Sequence, residues 1–270
     1  MIRVEKLTKV YTSGILKKTF NKAVDGISFE VPEGRTLCII GESGCGKSTI
    51  SLMLTKLLSP TSGKIYLSGQ DVSKIKGRDL KKYHRNVQII FQNPENALDP
   101  KIKIKNSILE AVRNYNIVPK ASKEEASLLK RLMQMVGLQQ EHLERYPWEL
   151  SGGQIQRAII ARVIALRPKV LVADEPTSML DVSVQAQILT LLKDLQKEHG
   201  FAMIFISHDL DVVRAMGDDI IVMSHGREVE RGCTEDLFCA PKTEYTKSLL
   251  EAFYYENEKN QEKLEVVTDK

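Results

Sequence analysis

The stretch GESGCGKST, Gly41 to Thr49, has the composition and spacing of a loop that wraps phosphate. It fits G-x-x-x-x-G-K-[ST] between an apolar run and a helical pattern, the setting that this motif requires. Gly41, Gly44 and Gly46, with Glu42, Ser43, Cys45 and Thr49 completing the loop, let backbone N–H groups curl around phosphate oxygens. The N-terminus of the following helix adds a favourable dipole. Lys47 is placed to reach β- and γ-phosphates, and the Ser48 hydroxyl to ligate Mg²⁺. An ordinary glycine turn has no need of Lys-Ser at that offset. A second group, VLVADE from Val170 to Glu175, is an apolar run ending in adjacent carboxylates. Asp174 can hold Mg²⁺ through its water shell, and Glu175 can polarise a water for in-line attack on a γ-phosphate. Alone the pair reads as a surface turn; behind a phosphate loop it reads as catalytic.

LSGGQ, Leu150 to Gln154, is a second glycine-rich loop opening a helix, and it poses the question of why one chain carries two phosphate-binding loops. Three single residues are ambiguous by themselves. Gln92 could be a strand-end amide, His208 a neighbour of a helix N-terminus, and Tyr11 a plain core aromatic. Cys45, beside Lys47 and near a helix N-terminus, is expected to have a depressed pKa and to alkylate readily; the competing reading is a small residue chosen for fit.

These residues need a scaffold. Short apolar runs alternate with longer helical patterns, which predicts an α/β fold on a buried, largely parallel sheet. EGRTLCIIGES reads as a strand feeding the first loop and Ser48–Leu58 as the helix after it, stopped by SPTSG. RNVQIIFQ, KVLVAD and AMIFIS read as further buried strands, and DIIVMSHGREVERG as a hairpin turning at His225–Gly226. Between Gln92 and Leu150 helices replace strands. SKEEASLLKRLMQMVGL opens on a capping box, Ser122 with Glu125, and sets Leu128, Leu129, Leu132, Met135 and Val136 on one face. The expected organisation is one domain over residues 1–252, with an inserted helical subdomain at about 93–165, and a charged tail over 253–270 that frays.

Composition bounds the function. Apolar residues make up 42% and charged residues 27% of 270, with a net charge of +4 spread among interleaved Lys, Arg, Asp and Glu. No nucleic-acid partner is called for, and KIKIK at Lys101–Lys105 reads as a solvated edge. Cys38, Cys45, Cys233 and Cys239 have no metal spacing and fit a reducing compartment. No apolar run approaches the roughly 20 residues that span a bilayer.

The order of motifs, an aromatic, the phosphate loop, a glutamine, LSGGQ, a strand ending in Asp-Glu, SMLD and a histidine, resembles the ATP-binding subunit of an ABC transporter from Met1 to Ala252. That resemblance implies a P-loop NTPase core with a mainly parallel sheet, an antiparallel β element and an inserted helical subdomain. It implies that Tyr11 stacks on adenine, that Gln92 contacts Mg²⁺ and the attacking water, and that His208 contacts the γ-phosphate. Asp181, closing SMLD, would communicate across a dimer interface. Two such subunits pack head to tail, so that Ser151, Gly152, Gly153 and Gln154 of one grip the γ-phosphate of ATP held by the other. On this reading the second loop serves the partner's nucleotide.

AVDGISFEVPEG, FQNPENALDP and the C-terminal APKTEYTKSLL narrow the resemblance to the oligopeptide, dipeptide and nickel importer branch. Thr243–Glu244 stand where that branch usually has His-Pro, and Thr12–Lys22 is expected as a long loop. Two C-terminal cysteines are too few for the iron–sulfur cluster of one subunit type, which favours the other. The implied function is an ATP-hydrolysing, energy-coupling subunit at the cytoplasmic face of the membrane, using ATP and Mg²⁺ in uptake of peptides or nickel chelates. Its implied partners are a second ABC ATPase subunit, two integral-membrane permease subunits and, indirectly, an extracytoplasmic solute-binding protein. The rival readings are a soluble ABC ATPase acting on DNA or the ribosome, and an exporter ATPase. The chain lacks the long coiled-coil or zinc insertions of the former, and EYTKSLL argues against the latter.

Overall fold

Apolar runs bounded by turn residues become the strands of two sheets in the computed structural model, which describes residues 1–13 and 19–255. In chain order the elements are β1 (Ile2–Ser13), β2 (Thr19–Val31), β3 (Thr36–Gly41), α1 (Lys47–Leu54), β4 (Ser62–Leu67), β5 (Gln70–Asp71), α2 (Gly77–Asn86) and β6 (Val87–Ile90). Then follow α3 (Ile104–Asn114), α4 (Lys123–Val136), α5 (Gly152–Ile164), β7 (Val170–Asp174), α6 (Val182–His199), β8 (Ala202–Ile206), α7 (Leu210–Met216), β9 (Asp219–Ser224), β10 (Arg227–Cys233) and α8 (Thr234–Cys239). Residues 244–255 form a last helix, and the remainder of the tail lies outside the described residues.

The larger sheet runs β10-β9-β3-β8-β7-β6, parallel except for β10. Its strands are apolar on both faces because both faces are covered. Cys38 and Ile40 of β3, with Leu171, Ala173, Met203 and Phe205, face the helical layer. Leu37 and Ile39, with Val170, Val172, Ile204 and Ile206, face α1 and the smaller sheet. That second sheet, β2-β1-β4-β5, is antiparallel. No strand interrupts the chain between β6 and β7.

Three local expectations are corrected. Most of Thr12–Lys22 is strand rather than loop, since β1 and β2 pair out to Ser13 opposite Thr19, while residues 14–18 lie outside the described residues. Helix α1 ends at Leu54, four residues early, because Lys56 takes a left-handed φ of 59°. Only half of the capping box forms at α4: Ser122 accepts from the Glu125 amide, but the Glu125 carboxylate turns to Arg113, at 2.7 and 2.9 Å, and to the Ala121 amide. A bidentate charge-assisted pair outcompetes a return bond to one amide.

Thr243, one of the departures from the importer pattern, has a structural role. Its hydroxyl accepts from the Thr246 amide at 3.2 Å, opening helix 244–255, and donates to Glu230 at 2.9 Å. Glu230, 8% exposed, also accepts from the amides of Lys242 and Thr243. Burial pushes its carboxyl up, but hydrogen bonds from Thr246, Lys242 and Thr243 outweigh that and hold it down at about 2. A depressed carboxylate stabilises the fold above its unfolded value near 4.5 and loses that contribution as pH falls toward about 2. Glu230→Gln should therefore lower the melting temperature at pH 7, the lost charge-assisted bonds costing about 1–3 kcal/mol. The gap from wild type should close between pH 4.5 and 2 in a calorimetric series; a gap independent of pH would show that the charge does not hold this segment.

Candidate active site

Four strand ends deliver the chemistry to one edge of the large sheet, the carboxyl edge where open α/β sheets bind ligands. β3 runs into the Gly41–Thr49 loop, β6 is followed by Gln92, β7 ends at Asp174 and Glu175, and β8 leads to His208. The loop closes because Gly46 adopts φ 111°, and a Cβ there would sit 2.2 Å from the Ala23 carbonyl oxygen. It is buttressed from outside: the Gly226 amide donates to the Cys45 carbonyl at 3.0 Å, and the Asp25 amide donates to the Gly226 carbonyl at 2.8 Å. His225 and Gly226 have φ of 47° and 78°, the pair of positive values that makes a tight two-residue hairpin turn between β9 and β10.

Lys47 is buried, and its Nζ donates to the carbonyls of Gly41 at 2.6 Å and Glu42 at 3.0 Å. No carboxylate lies within ion-pair distance of it among the described residues, so its hydrogen bonds are partly met while its charge is not. The loop thus presents a desolvated cation to an incoming anion. The Ser48 hydroxyl lies 3.4 Å from Asp174 Oδ1. Burial pushes the Asp174 carboxyl above its ordinary value; Ser48 and Lys47 oppose that shift and Glu175 reinforces it. A hydroxyl beside a single carboxylate is an oxygen-only donor set, which suits Mg²⁺ held partly by waters and substrate phosphates.

Glu175 has a left-handed φ of 48°, and its backbone N–H donates a hydrogen bond to the Ile206 carbonyl at 2.9 Å. Its carboxylate receives the Gln92 amide nitrogen at 2.6 Å, and His208 Nδ1 lies 3.3 Å from its other oxygen. Gln92, Glu175 and His208 join Ser43, Gly44, Lys47, Ser48 and Thr49 around one cleft of about 430 Å³. Ala23 also lines this cleft; nothing in the sequence marks it, since it contributes through backbone proximity.

Two groups of expected residues stand apart from that cleft. Tyr11 is 41% exposed on β1, opposite Asn21, with Lys9 Nζ 5.3 Å from its ring centre. It is a surface ring, not a core aromatic. Ser151, Gly152, Gly153 and Gln154 line none of the cleft. Ser151 caps α5, accepting from the Gln154 amide, while Gln154 Oε1 accepts from the Ser151 amide. Gln154 Nε2 lies 3.2 Å from His142 Nε2, whose ring is buried and takes the Gln139 amide on Nδ1. This brace on the loop was invisible to spacing. A Cβ on Gly153 would lie 2.5 Å from Val184 Cγ1, which seats the loop on the start of α6. There Asp181 caps the helix, held low by the Ser183 hydroxyl and the Val184 amide.

The chain matches the family described as "ABC transporter" over residues 24–178, more than half of its length. It belongs to the ABC transporter family. It is 44% identical over 256 residues, 93% of this chain and 72% of the relative, to the probable peptide ABC transporter ATP-binding protein y4tS of Sinorhizobium fredii. It is 46% identical over 250 residues, 90% of this chain and 78% of the relative, to the oligopeptide transport ATP-binding protein OppF of Lactococcus lactis. Against the dipeptide transport ATP-binding protein DppF of Escherichia coli the identity is 46% over 231 residues, 86% of this chain and 69% of that one. The ATP-binding cassette MJ0796, solved as a dimer in a post-hydrolysis state bound to ADP and Pi, superposes with a TM-score of 0.77 at 29% identity, covering 87% of this chain and 99% of that one. The cleft is therefore that of an ABC ATPase on a P-loop NTPase fold.

Cys45 corrects an expectation within this ABC cassette. It is 5% exposed, and burial raises its thiol pKa against the opposing pull of Lys47. A thiol so placed is a poor nucleophile. Alkylation followed by mass spectrometry should label the exposed Cys233 and Cys239 well before Cys45; labelling of Cys45 first would restore the activated-thiol reading.

Proposed function

We propose that this chain is the energy-coupling ATPase of an uptake transporter for short peptides, working as one half of an ATP-closed pair. The observation that carries the pairing is the separation of the two loops: Ser151–Gln154 are absent from the cleft lined by Gly44, Lys47 and Ser48. A second chain is then needed to bring a helix N-terminus to the γ-phosphate. Peptide cargo is supported by the names of the relatives, and the same peptide-class reading extends to a glutathione import protein at 44% identity.

Within this reading, residues 1–252 form the ATP-binding domain, with a helical subdomain at about 93–165. Gly41–Thr49 enfold the phosphates, and Lys47 neutralises charge at the β- and γ-positions. Ser48 and Asp174, with Gln92, would hold Mg²⁺, which when bound screens phosphate charge. Glu175 takes the proton of the attacking water, kept in place by Gln92 and His208 on its two oxygens. Tyr11 offers its ring to the base, and Asp181, through the α6 cap, links one cassette to the other. Among the described residues no helix is long and apolar enough to cross a membrane. Attachment at the cytoplasmic face is accordingly assigned to two separate permease subunits, fed by an extracytoplasmic binding protein.

Glu175→Gln should slow hydrolysis by about 10²–10⁴-fold while leaving ATP binding intact, so that an ATP-bound dimer accumulates in light scattering. Near wild-type turnover would remove Glu175 from this role.

Pairing has its own test. Lys47→Ala and Ser151→Arg chains, each inactive alone, should regain ATPase activity when mixed, because the mixed dimer retains one undamaged composite site. A chain carrying both substitutions should give no active mixed dimer with wild type. Activity that follows the number of undamaged chains, rather than undamaged cross-chain pairs, would place Ser151 on its own chain's nucleotide.

A further inference from the structure

On the opposite end of the sheet from the ATP cleft, α4 and the segments that lead into β6 and β7 enclose a second cleft of about 670 Å³. Arg85, Lys123, Arg131 and Arg167 all line it, with Glu124 as the one carboxylate. Their net charge is three of the whole chain's +4. Among the described residues none of the four has an ion pair or a side-chain hydrogen bond. That is unusual for this molecule: apart from Arg78, every arginine outside the cleft has such a partner, as Arg35, Arg113, Arg214 and Arg227 do with carboxylates. Four exposed cations lining one cleft around a single carboxylate leave a surplus of positive charge there, which favours an anion. Ile117, Val118 and Leu128 supply an apolar wall beside the charges.

We propose that this cleft binds a polyphosphorylated small molecule, its phosphates on Arg85, Arg131, Arg167 and Lys123 and any apolar moiety against Ile117, Val118 and Leu128. Three of the four cations are arginines, whose planar forks match phosphate oxygens two at a time. The volume falls within the roughly 300–1,000 Å³ of small-molecule sites. A compact polyanion concentrates charge as the cleft does, whereas carboxylates along a peptide are spread at about 3.3 Å or more per residue. Arg85 lies at the end of α2 just before β6 and Arg167 lies between α5 and β7, whereas Lys123 and Arg131 belong to α4. A bound polyanion therefore ties α4, the neighbour of the α5 helix that carries LSGGQ, to the segments that lead into β6 and β7.

Calorimetric titration with inorganic tripolyphosphate tests this site apart from the ATP cleft. Lys47→Ala, which disables the first loop, should keep one equivalent of binding that weakens with salt. Adding Arg131→Glu and Arg167→Glu should weaken that equivalent at least tenfold, whereas Arg131→Lys with Arg167→Lys should weaken it less. The Glu pair in an otherwise wild-type chain should hydrolyse ATP at the wild-type rate and melt at the same temperature, which excludes misfolding as the cause. GTP binding to Lys47→Ala more tightly than tripolyphosphate identifies a nucleotide as the occupant; equal affinity identifies the bare phosphate chain. No binding to Lys47→Ala, or binding unmoved by the Glu pair, overturns the proposal.

Discussion

A lysine ammonium sealed among backbone carbonyls is the feature on which this cassette depends. Lys47 finds hydrogen-bond acceptors in Gly41 and Glu42 but no partner carboxylate at ion-pair range. Such a charge is tolerable only where the surrounding backbone is held rigidly, because a relaxed loop would let it return to water. The fold supplies that rigidity from three sides. β3 is paired in parallel with both β8 and β9, α1 starts at Lys47 itself, and Ala23 of β2 crowds Gly46 too closely for any side chain. The sheet's two-sided burial is thus what keeps one cation poised for phosphate.

The carboxylates opposite obey the same constraint with the opposite sign. Asp174 is buried at a strand end and pushed toward its neutral form. Glu175 is less buried, accepts a hydrogen bond from Gln92 on one oxygen and has His208 Nδ1 3.3 Å from the other. Adjacent residues in the sequence therefore occupy different electrostatic environments. Elsewhere Glu125 is neutralised by a bidentate pair with Arg113.

The parallel core was legible in the sequence because continuous apolar runs such as VLVAD and AMIFI admit few alternatives once a phosphate loop precedes them. The antiparallel sheet was harder to read in detail. β1 carries register shifts between Val4 and Leu7 and again before Lys9 and Val10, so its inside–outside alternation changes phase and dissolves as a pattern. The placing of the Gly41–Thr49 loop between a strand and a helix was also legible, since that geometry is local. What escaped were partners distant in the chain: Gln92 on Glu175 across 83 positions, the His142 brace under Gln154, and Val184 against Gly153. Cys45 was misjudged because a sequence displays the neighbouring Lys47 but not the burial that outweighs it.

The β9–β10 turn has a consequence beyond its own geometry. Its Gly226 is bonded on one side to the phosphate loop and on the other to Asp25 of β2, both through main-chain atoms. Surface hairpins are ordinarily the places where a chain accepts extra residues over evolutionary time or a spliced-in tag in the laboratory. Here a single added residue would withdraw an amide from the Cys45 carbonyl and a carbonyl from the Asp25 amide together, whatever side chain it carried. The length of that turn is therefore fixed by the nucleotide cradle, and the hairpin is closed to insertion despite lying at the protein's edge.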